Sequence, residues 1–161
     1  MKTQYLIADK RDADEMIVLL QQLKSDHHEI SLTYIENTDT LIREMECRRQ
    51  SFYIARVNQQ IAGILRSFRG IGPTEHSSRI TIAVSSQHRK QGIAKNLLQF
   101  GMADLKTRGI TIVRGLVYSD NRASLNVLIS AGFTISGSIV KHHLNQATNQ
   151  FVDDIVLYRE L

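Results

Sequence analysis

The segment between residues 79 and 118 constrains the fold most, because strand-like and helix-like patterns alternate in it in a fixed order. Residues 79–84 (RITIAV) and 110–118 (ITIVRGLVY) are rich in β-branched residues and have the length of strands. Between them, apolar or small residues recur at every fourth position, at Ile93, Leu97, Gly101 and Leu105. Two strands joined by a long helix pair in parallel within a sheet, so at least one strand pair is predicted to be parallel.

The other strand-like segments predict antiparallel pairing. Residues 51–57 and 61–68 are joined by Asn58-Gln59-Gln60 and form a predicted hairpin, and 133–143 and 151–159 form a second one. A short first strand is expected at 5–8. Helices are expected at 12–25, at 36–49, from about Gly92 to just before Gly109, and at 121–130. Asp12 and Glu15, at the start of the first helix, have the spacing of a capping box. Residues 1–161 are therefore expected to form one α/β domain with a mixed, mostly antiparallel sheet.

The distribution of charge predicts a site for an anion. The formal net charge is +4, yet no Asp or Glu lies between His76 and Ala103, a stretch that contains Arg79, Arg89, Lys90 and Lys95. The basic residues form no run and only 6% of residues are aromatic, which favours a small phosphate-bearing ligand over nucleic acid. The apolar stretches are too short for a membrane span, and the single cysteine, Cys47, fits a cytoplasmic location.

The segment Arg89-Lys90-Gln91-Gly92-Ile93-Ala94 has the properties of a phosphate-binding turn. It connects a strand to a helix, and the start of a helix leaves backbone N–H groups unpaired. Small residues at Gly92 and Ala94 would let phosphate oxygens approach those groups. The P-loop and dinucleotide-binding patterns are absent, so a pyrophosphate held in another type of loop is predicted.

Two motifs together resemble the GNAT superfamily of acyl-CoA N-acetyltransferases. The first is Arg89-Lys90-Gln91-Gly92-Ile93-Ala94 after a strand that ends in Val84, similar to the family signature [RQ]-x-x-G-x-[GA]. The second is Asn121 followed by a short helix that closes on Gly132-Phe133. The resemblance covers essentially the whole chain. It implies helices on both faces of the sheet and a splay between strands 79–84 and 110–118.

The resemblance also implies a cosubstrate, acetyl-CoA, and the residues that bind it. Residues 89–94 would surround the pyrophosphate, mostly through main-chain N–H groups. Ala83 and Val84 would lie along the pantetheine arm, with the Val84 N–H facing the thioester carbonyl. Asn121 would contact the pantetheine or the nearby backbone, and Ser124 would hydrogen-bond the CoA sulfur, although Ser124 is equally consistent with an ordinary residue of a first helical turn.

The implied reaction is direct attack of a neutral primary amine on the thioester. The sequence departs from the commonest family pattern, since residues 79–84 contain no Glu and the position of the usual helix Tyr is Leu128. Ser124 and Tyr118 are the candidate acids, and water near Glu75 or His76 is the candidate route for the proton of the amine. No single side chain is expected to be an indispensable base.

The remaining polar pairs give weaker expectations. Neither His27-His28 nor His142-His143 is expected to bind a metal, because adjacent side chains diverge on a helix and alternate on a strand. Asp153-Asp154 should place one carboxylate on each face of its strand. Acidic residues near the first inter-helix region, Asp26, Glu29 and Glu36, favour a cationic acceptor, either a small-molecule amine or a peptide amine. The alternative is a noncatalytic acyl-CoA-binding or sensing module, and a homodimer is left open.

Overall fold

The computed structural model describes residues 2–26 and 31–161, which form one seven-stranded sheet. In chain order the strands are β1 (Thr3–Ile7), β2 (Gln50–Val57), β3 (Gln60–Arg69), β4 (Ser77–Val84), β5 (Ile112–Tyr118), β6 (Thr134–Asn145) and β7 (Gln150–Glu160). Their order across the sheet is β1-β2-β3-β4-β5-β7-β6. Only the β4–β5 pair is parallel among these strands, which confirms the predicted mixed, mostly antiparallel sheet.

The described part of the chain contains four α-helices, which lie where the sequence predicts them. They are α1 (Ala13–Ser25), α2 (Thr38–Glu46), α3 (Ile93–Thr107) and α4 (Arg122–Ser130). Helix α2 is shorter than expected, because the Asn37 side chain caps its start and the extended backbone of Cys47 ends it. Within the described residues, none of the helices is both long and apolar enough to cross a membrane.

Each face of the sheet packs against one pair of helices. Helices α3 and α4 cover one face, where Leu97, Leu98 and Leu128 join buried residues of β2, β3, β4, β5 and β7. Helices α1 and α2 cover the other face, where Leu20 and Leu41 pack against residues of β2 and β3. The predicted arrangement with helices on both faces is thus confirmed.

The start of α1 differs from the expected capping box. Asp12 occupies the cap position of α1 but makes no capping hydrogen bond there; its carboxylate accepts from the Asp9 N–H and from Arg56. The Glu15 carboxylate accepts from Arg56 and from the Ile61 N–H. The prediction of a capping box at Asp12 and Glu15 is therefore wrong, because a guanidinium on β2 and a backbone donor on β3 compete for the same oxygens.

The parallel pair β4–β5 opens along its length. Backbone pairing joins Ser77–Ile80 to Ile112–Gly115 and then stops, although β4 continues to Val84 and β5 to Tyr118. The C-terminal halves of the two strands thus diverge, as expected from the resemblance. In an open α/β sheet, a ligand binds where neighbouring strands separate at their carboxyl ends.

Candidate functional site

A cleft of about 310 Å³ occupies the splay between β4 and β5. Residues 79–82 of β4 and 115–118 of β5 form its walls. The other lining residues come from α4 and its cap, from the two C-terminal strands and from the segment before α2: Asn121, Ser124, Leu128, His142, His143, Asp154 and Ser31. The cleft therefore combines unpaired strand edges with polar side chains from distant parts of the chain.

The turn before α3 is shaped to receive an anion. Lys90 and Gly92, two positions apart, have positive φ angles of 61° and 78°, and a turn that contains left-handed residues can direct backbone N–H groups into a concave surface. Gly92 is the N-cap residue of α3 and supplies no side-chain acceptor for the first helical turn. The first N–H groups of α3 thus receive no hydrogen bond from the side chain of the N-cap residue, and the binding of an anion by residues 89–94 stays a prediction.

The turn is connected to the end of β4 by a hydrogen bond. The Arg89 Nε donates to the Val84 carbonyl at 3.3 Å, so the basic side chain lies beside the last residue of the strand. The side chains of Ala83 and Ile93 are buried in the two cores, which leaves their backbone groups as the only parts available to a cosubstrate. Gln91 and Lys90 are exposed.

Three predicted site residues meet in the cleft: Tyr118, Asn121 and Ser124. The Asn121 Oδ1 accepts from the Ser124 N–H at 3.1 Å and so caps α4, which leaves the amide nitrogen of Asn121 for a ligand. Ser124 lies half-buried in the first turn of α4, and its hydroxyl has no hydrogen-bond partner among the described residues. A hydroxyl in this place can donate to a sulfur or an oxygen atom in the cleft.

Glu75 and His76 are not brought to the cleft. They precede Ser77, at the opposite end of β4 from Val84, and the His76 carbonyl accepts from the Thr111 N–H at 2.8 Å. Neither residue is among those that line the cleft. The structure therefore gives no geometric support to a proton relay through these two side chains.

The connection between α1 and α2 reaches the same cleft. Ser31 lines it, and the Ser31 hydroxyl lies 3.0 Å from the Thr81 hydroxyl and accepts from Arg66 at 3.0 Å. Burial lowers the pKa of Arg66. Three acidic residues are expected to attract a cation in this region. The Asp26 carboxylate accepts a hydrogen bond from the Ser86 hydroxyl, and the Glu36 carboxylate forms an ion pair with Lys24. Glu29 lies outside the described residues.

The two C-terminal strands contribute a cluster that the sequence reasoning missed. The His142 Nδ1 lies 2.8 Å from the Asp154 Oδ2, and the His143 Nδ1 lies 2.7 Å from the Asp154 Oδ1. Asp154 is buried, with a relative exposure of 2%, and Asp153 lies on the other side of β7. The expectation for Asp153-Asp154 is thus met, whereas the expectation that His142 and His143 diverge is wrong.

A break in the register of β6 explains why both imidazoles reach one carboxylate. Ile139 pairs with Asp154 and the next paired residue is His143, opposite Val152, so three residues of β6 lie in a bulge. Lys141, within it, has a φ of 52°, and its N–H donates to the Asp153 carboxylate at 2.7 Å. The bulge ends the regular alternation of side chains on which the prediction depended.

The separations in this cluster are those of hydrogen bonds. The candidate ligand atoms of His142, His143 and Asp154 all lie within 4.8 Å of one another. Ligands about 2.0–2.1 Å from a tetrahedral zinc ion would be roughly 3.3 Å apart, which is longer than both histidine–carboxylate distances. The other histidine pair, His27-His28, lies outside the described residues.

These features define an α/β protein with a cleft in a splayed parallel strand pair and a glycine-containing turn at the start of the following helix. The sequence matches the Acetyltransferase (GNAT) family over residues 16–133, and the chain belongs to this family. The prediction that it is a GNAT acetyltransferase is confirmed. Acetyl-CoA is accordingly its cosubstrate.

Solved structures of the same fold include three that illustrate the similarity. A GNAT-family acetyltransferase from Streptococcus pneumoniae is 20% identical, with a TM-score of 0.86 and coverage of 99% of this chain and 100% of that one. The protein yncA from Salmonella typhimurium, solved with acetyl-CoA, is 17% identical, with a TM-score of 0.85 and coverage of 99% and 94%. A ribosomal-protein-alanine N-acetyltransferase from Brucella melitensis is 18% identical, with a TM-score of 0.82 and coverage of 98% and 99%. The search of curated protein sequences found no match.

Proposed function

We propose that this acetyltransferase transfers the acetyl group of acetyl-CoA to a primary amine by direct attack. The observation that carries the proposal is the continuity of the site. The turn at residues 89–94 comes after the end of β4 and a short 3₁₀ turn, Ser86–His88, and the splay beside β4 opens into a cleft that contains Tyr118, Asn121 and Ser124. A long ligand lying along the splay would thus have its phosphate end at the turn and its acyl end in the cleft.

The phosphate end is assigned to residues 89–94. The N–H groups around Gly92 would hold the pyrophosphate, with Arg89 and Lys90 adding positive charge. Beyond Ile80, β4 has no pairing with β5, so the backbone of Ala83 and Val84 can hydrogen-bond the pantetheine arm as another strand would. The Val84 N–H would then stabilise the oxyanion that forms when the thioester carbonyl is attacked.

The acyl end is assigned to the start of α4. Asn121 would contact the pantetheine through its amide nitrogen, because its oxygen is occupied by the cap. Ser124 would donate to the sulfur as negative charge develops there, with Tyr118 as the second candidate donor. Both residues line the cleft, which distinguishes them from Glu75 and His76.

The acceptor is assigned to the class of cationic primary amines. Asp154 is the only carboxylate among the described residues that line the cleft, and it is buried. A buried anion attracts an ammonium group and would bring it near the thioester. One protein of the same fold is named a ribosomal-protein-alanine N-acetyltransferase, so the amine of a peptide is included with that of a small molecule.

The test measures release of CoA thiol from acetyl-CoA in the presence of a panel of amines. The panel contains a polyamine, a peptide with an N-terminal alanine and a peptide with an internal lysine, and mass spectrometry identifies the acetylated product. We expect thiol release and acetylated amine in equal amounts for at least one member. Tight binding of CoA without turnover of any amine would instead support a noncatalytic acyl-CoA-binding module.

A further inference from the structure

The proposed reaction needs a group that takes a proton from the amine, and the cluster of His142, His143 and Asp154 contains two imidazoles. The amine must lose a proton before it can attack, since free amines with a pKa of about 10.4 are mostly protonated at neutral pH. Residues 79–84 contain no Glu, and Glu75 and His76 lie away from the cleft. The histidine cluster, in contrast, lines the cleft directly.

The hydrogen bonds of the cluster determine which ring nitrogen is available. A carboxylate only accepts hydrogen bonds, so each imidazole donates from Nδ1 to Asp154. In a neutral ring with hydrogen on Nδ1, the lone pair is on Nε2. Neither Nε2 has a hydrogen-bond partner among the described residues, so two oriented imidazoles present a basic nitrogen.

The surroundings place this base near the acyl end of the cosubstrate. The His143 ring lies 4.5 Å from the Tyr118 ring, centroid to centroid, and Tyr118 ends the strand that leads into the cap of α4. Among residues 2–26 and 31–161, the other titratable or charged side chains that line the cleft are Tyr118 from β5 and Arg79 from β4. The cluster thus shares one cleft with Asn121 and Ser124, which the proposed function assigns to the pantetheine and the sulfur.

We infer that the imidazoles held by Asp154 supply the general base of the reaction, an inference that rests on the proposed acetyl transfer to an amine. An Nε2 takes a proton from the ammonium group, and the freed amine attacks the thioester carbonyl. The C–N bond forms, the C–S bond breaks and the sulfur leaves as a thiolate. Of the two protons that leave the nitrogen, one ends on the CoA sulfur and the other passes from the imidazole to solvent.

The first test removes both imidazoles. His142→Gln/His143→Gln should lower kcat by about 10²- to 10⁴-fold, the range for loss of a general base, while calorimetry shows acetyl-CoA affinity close to that of the wild type. The kcat of the wild type should fall at acid pH, because a protonated imidazole cannot take a proton from the amine. The double variant should lack this acid limb.

The second test examines how Asp154 positions the rings. In the wild-type protein, long-range ¹H–¹⁵N NMR should show both histidine rings protonated on Nδ1. Asp154→Asn should alter these tautomers and lower kcat. The matched control is Asp153→Asn, which keeps an oxygen acceptor for the Lys141 N–H, so kcat and the tautomers should change much less than in Asp154→Asn.

The outcomes separate failure of this inference from failure of the proposed function. A wild-type protein that acetylates no amine would refute the proposed function and the base together. A folded double variant that keeps more than about a tenth of the wild-type kcat would refute only the base. Wild-type activity that is lost with EDTA and restored by Zn²⁺ would show that the cluster binds a metal instead of acting as a base.

Discussion

The phosphate site can be tested by placing a negative charge at Gly92. An added Cβ on Gly92 would meet no atom closer than the Asn96 Nδ2, at 3.9 Å, so the free protein has room for a side chain. The φ of 78° is unfavourable for any L-residue, and a substitution costs about 1–2 kcal/mol of stability for this reason. The comparison is therefore between Gly92→Glu and Gly92→Gln, which share the backbone strain and nearly the same bulk.

The difference between the two variants follows from electrostatics. A carboxylate roughly 5 Å from a phosphate charge in a water-like dielectric raises the energy by about 0.8 kcal/mol, and two such charges give about 1.7 kcal/mol. A free-energy difference of about 1.4 kcal/mol corresponds to a tenfold change in affinity. Gly92→Glu should therefore bind CoA at least about tenfold more weakly than Gly92→Gln, and more weakly still than the wild type.

Isothermal titration calorimetry with CoA measures this difference, and circular dichroism shows whether both variants are folded. The gap between them should shrink as ionic strength rises, because the interacting charges are exposed to solvent. Equal affinities in two folded variants would refute the assignment of the pyrophosphate to the start of α3. A loss shared equally by both would indicate that backbone conformation matters there but that no phosphate lies beside residue 92.

The remaining predictions concern the sulfur, the proton route and alkaline stability. Ser124→Ala should lower kcat with little change in the KM for acetyl-CoA, since the hydroxyl helps only as charge develops on sulfur; an unchanged kcat would make Tyr118→Phe the next variant. Glu75→Gln and His76→Ala should each change kcat/KM by less than about a hundredfold, and a larger loss with CoA affinity intact would place the base there. Burial, together with the hydrogen bond to Asp104, raises the pKa of Tyr53 well above its ordinary 10.0. As the pH first passes 10, Tyr53 therefore ionises in the unfolded state only. The free energy of unfolding of the wild type, measured with urea, should fall there by up to about 1.4 kcal/mol per pH unit, and that of Tyr53→Phe should fall less.

The order of the elements could be predicted because it depends on periodicity alone. Apolar residues have helical spacing between 93 and 105, and two runs of β-branched residues flank them. This pattern predicts a parallel strand–helix–strand crossover, which β4, α3 and β5 form. The tight turn before α3 could be predicted for a local reason, since a glycine between a strand and a helix often marks a left-handed turn that other residues rarely adopt, whereas anion binding there stays a prediction. Gly92 has the left-handed conformation that favours glycine over other residues.

Side-chain contacts between distant segments could not be predicted in this way. Asp12 and Glu15 have the spacing of a local capping box, yet both carboxylates bind Arg56, which is more than 40 positions away in the chain. A local pattern gives the geometry of one turn only. A half-buried guanidinium with two carboxylates in reach makes stronger, charge-assisted hydrogen bonds than the backbone of a helix end does.

The histidine cluster was missed because a bulge overrode the alternation rule. Lys141 has a positive φ although it is not glycine, a conformation that costs energy and that its sequence neighbours do not indicate. The hydrogen bond from its N–H to Asp153 offsets part of that cost. Asp153 and Asp154 therefore act from opposite sides of one strand: the first stabilises the bulge in β6, and the second accepts the two imidazoles that the bulge turns toward the cleft. Backbone strain that persists beside a cleft is a feature of functional sites, and here it is the strain that brings two adjacent residues to a single carboxylate.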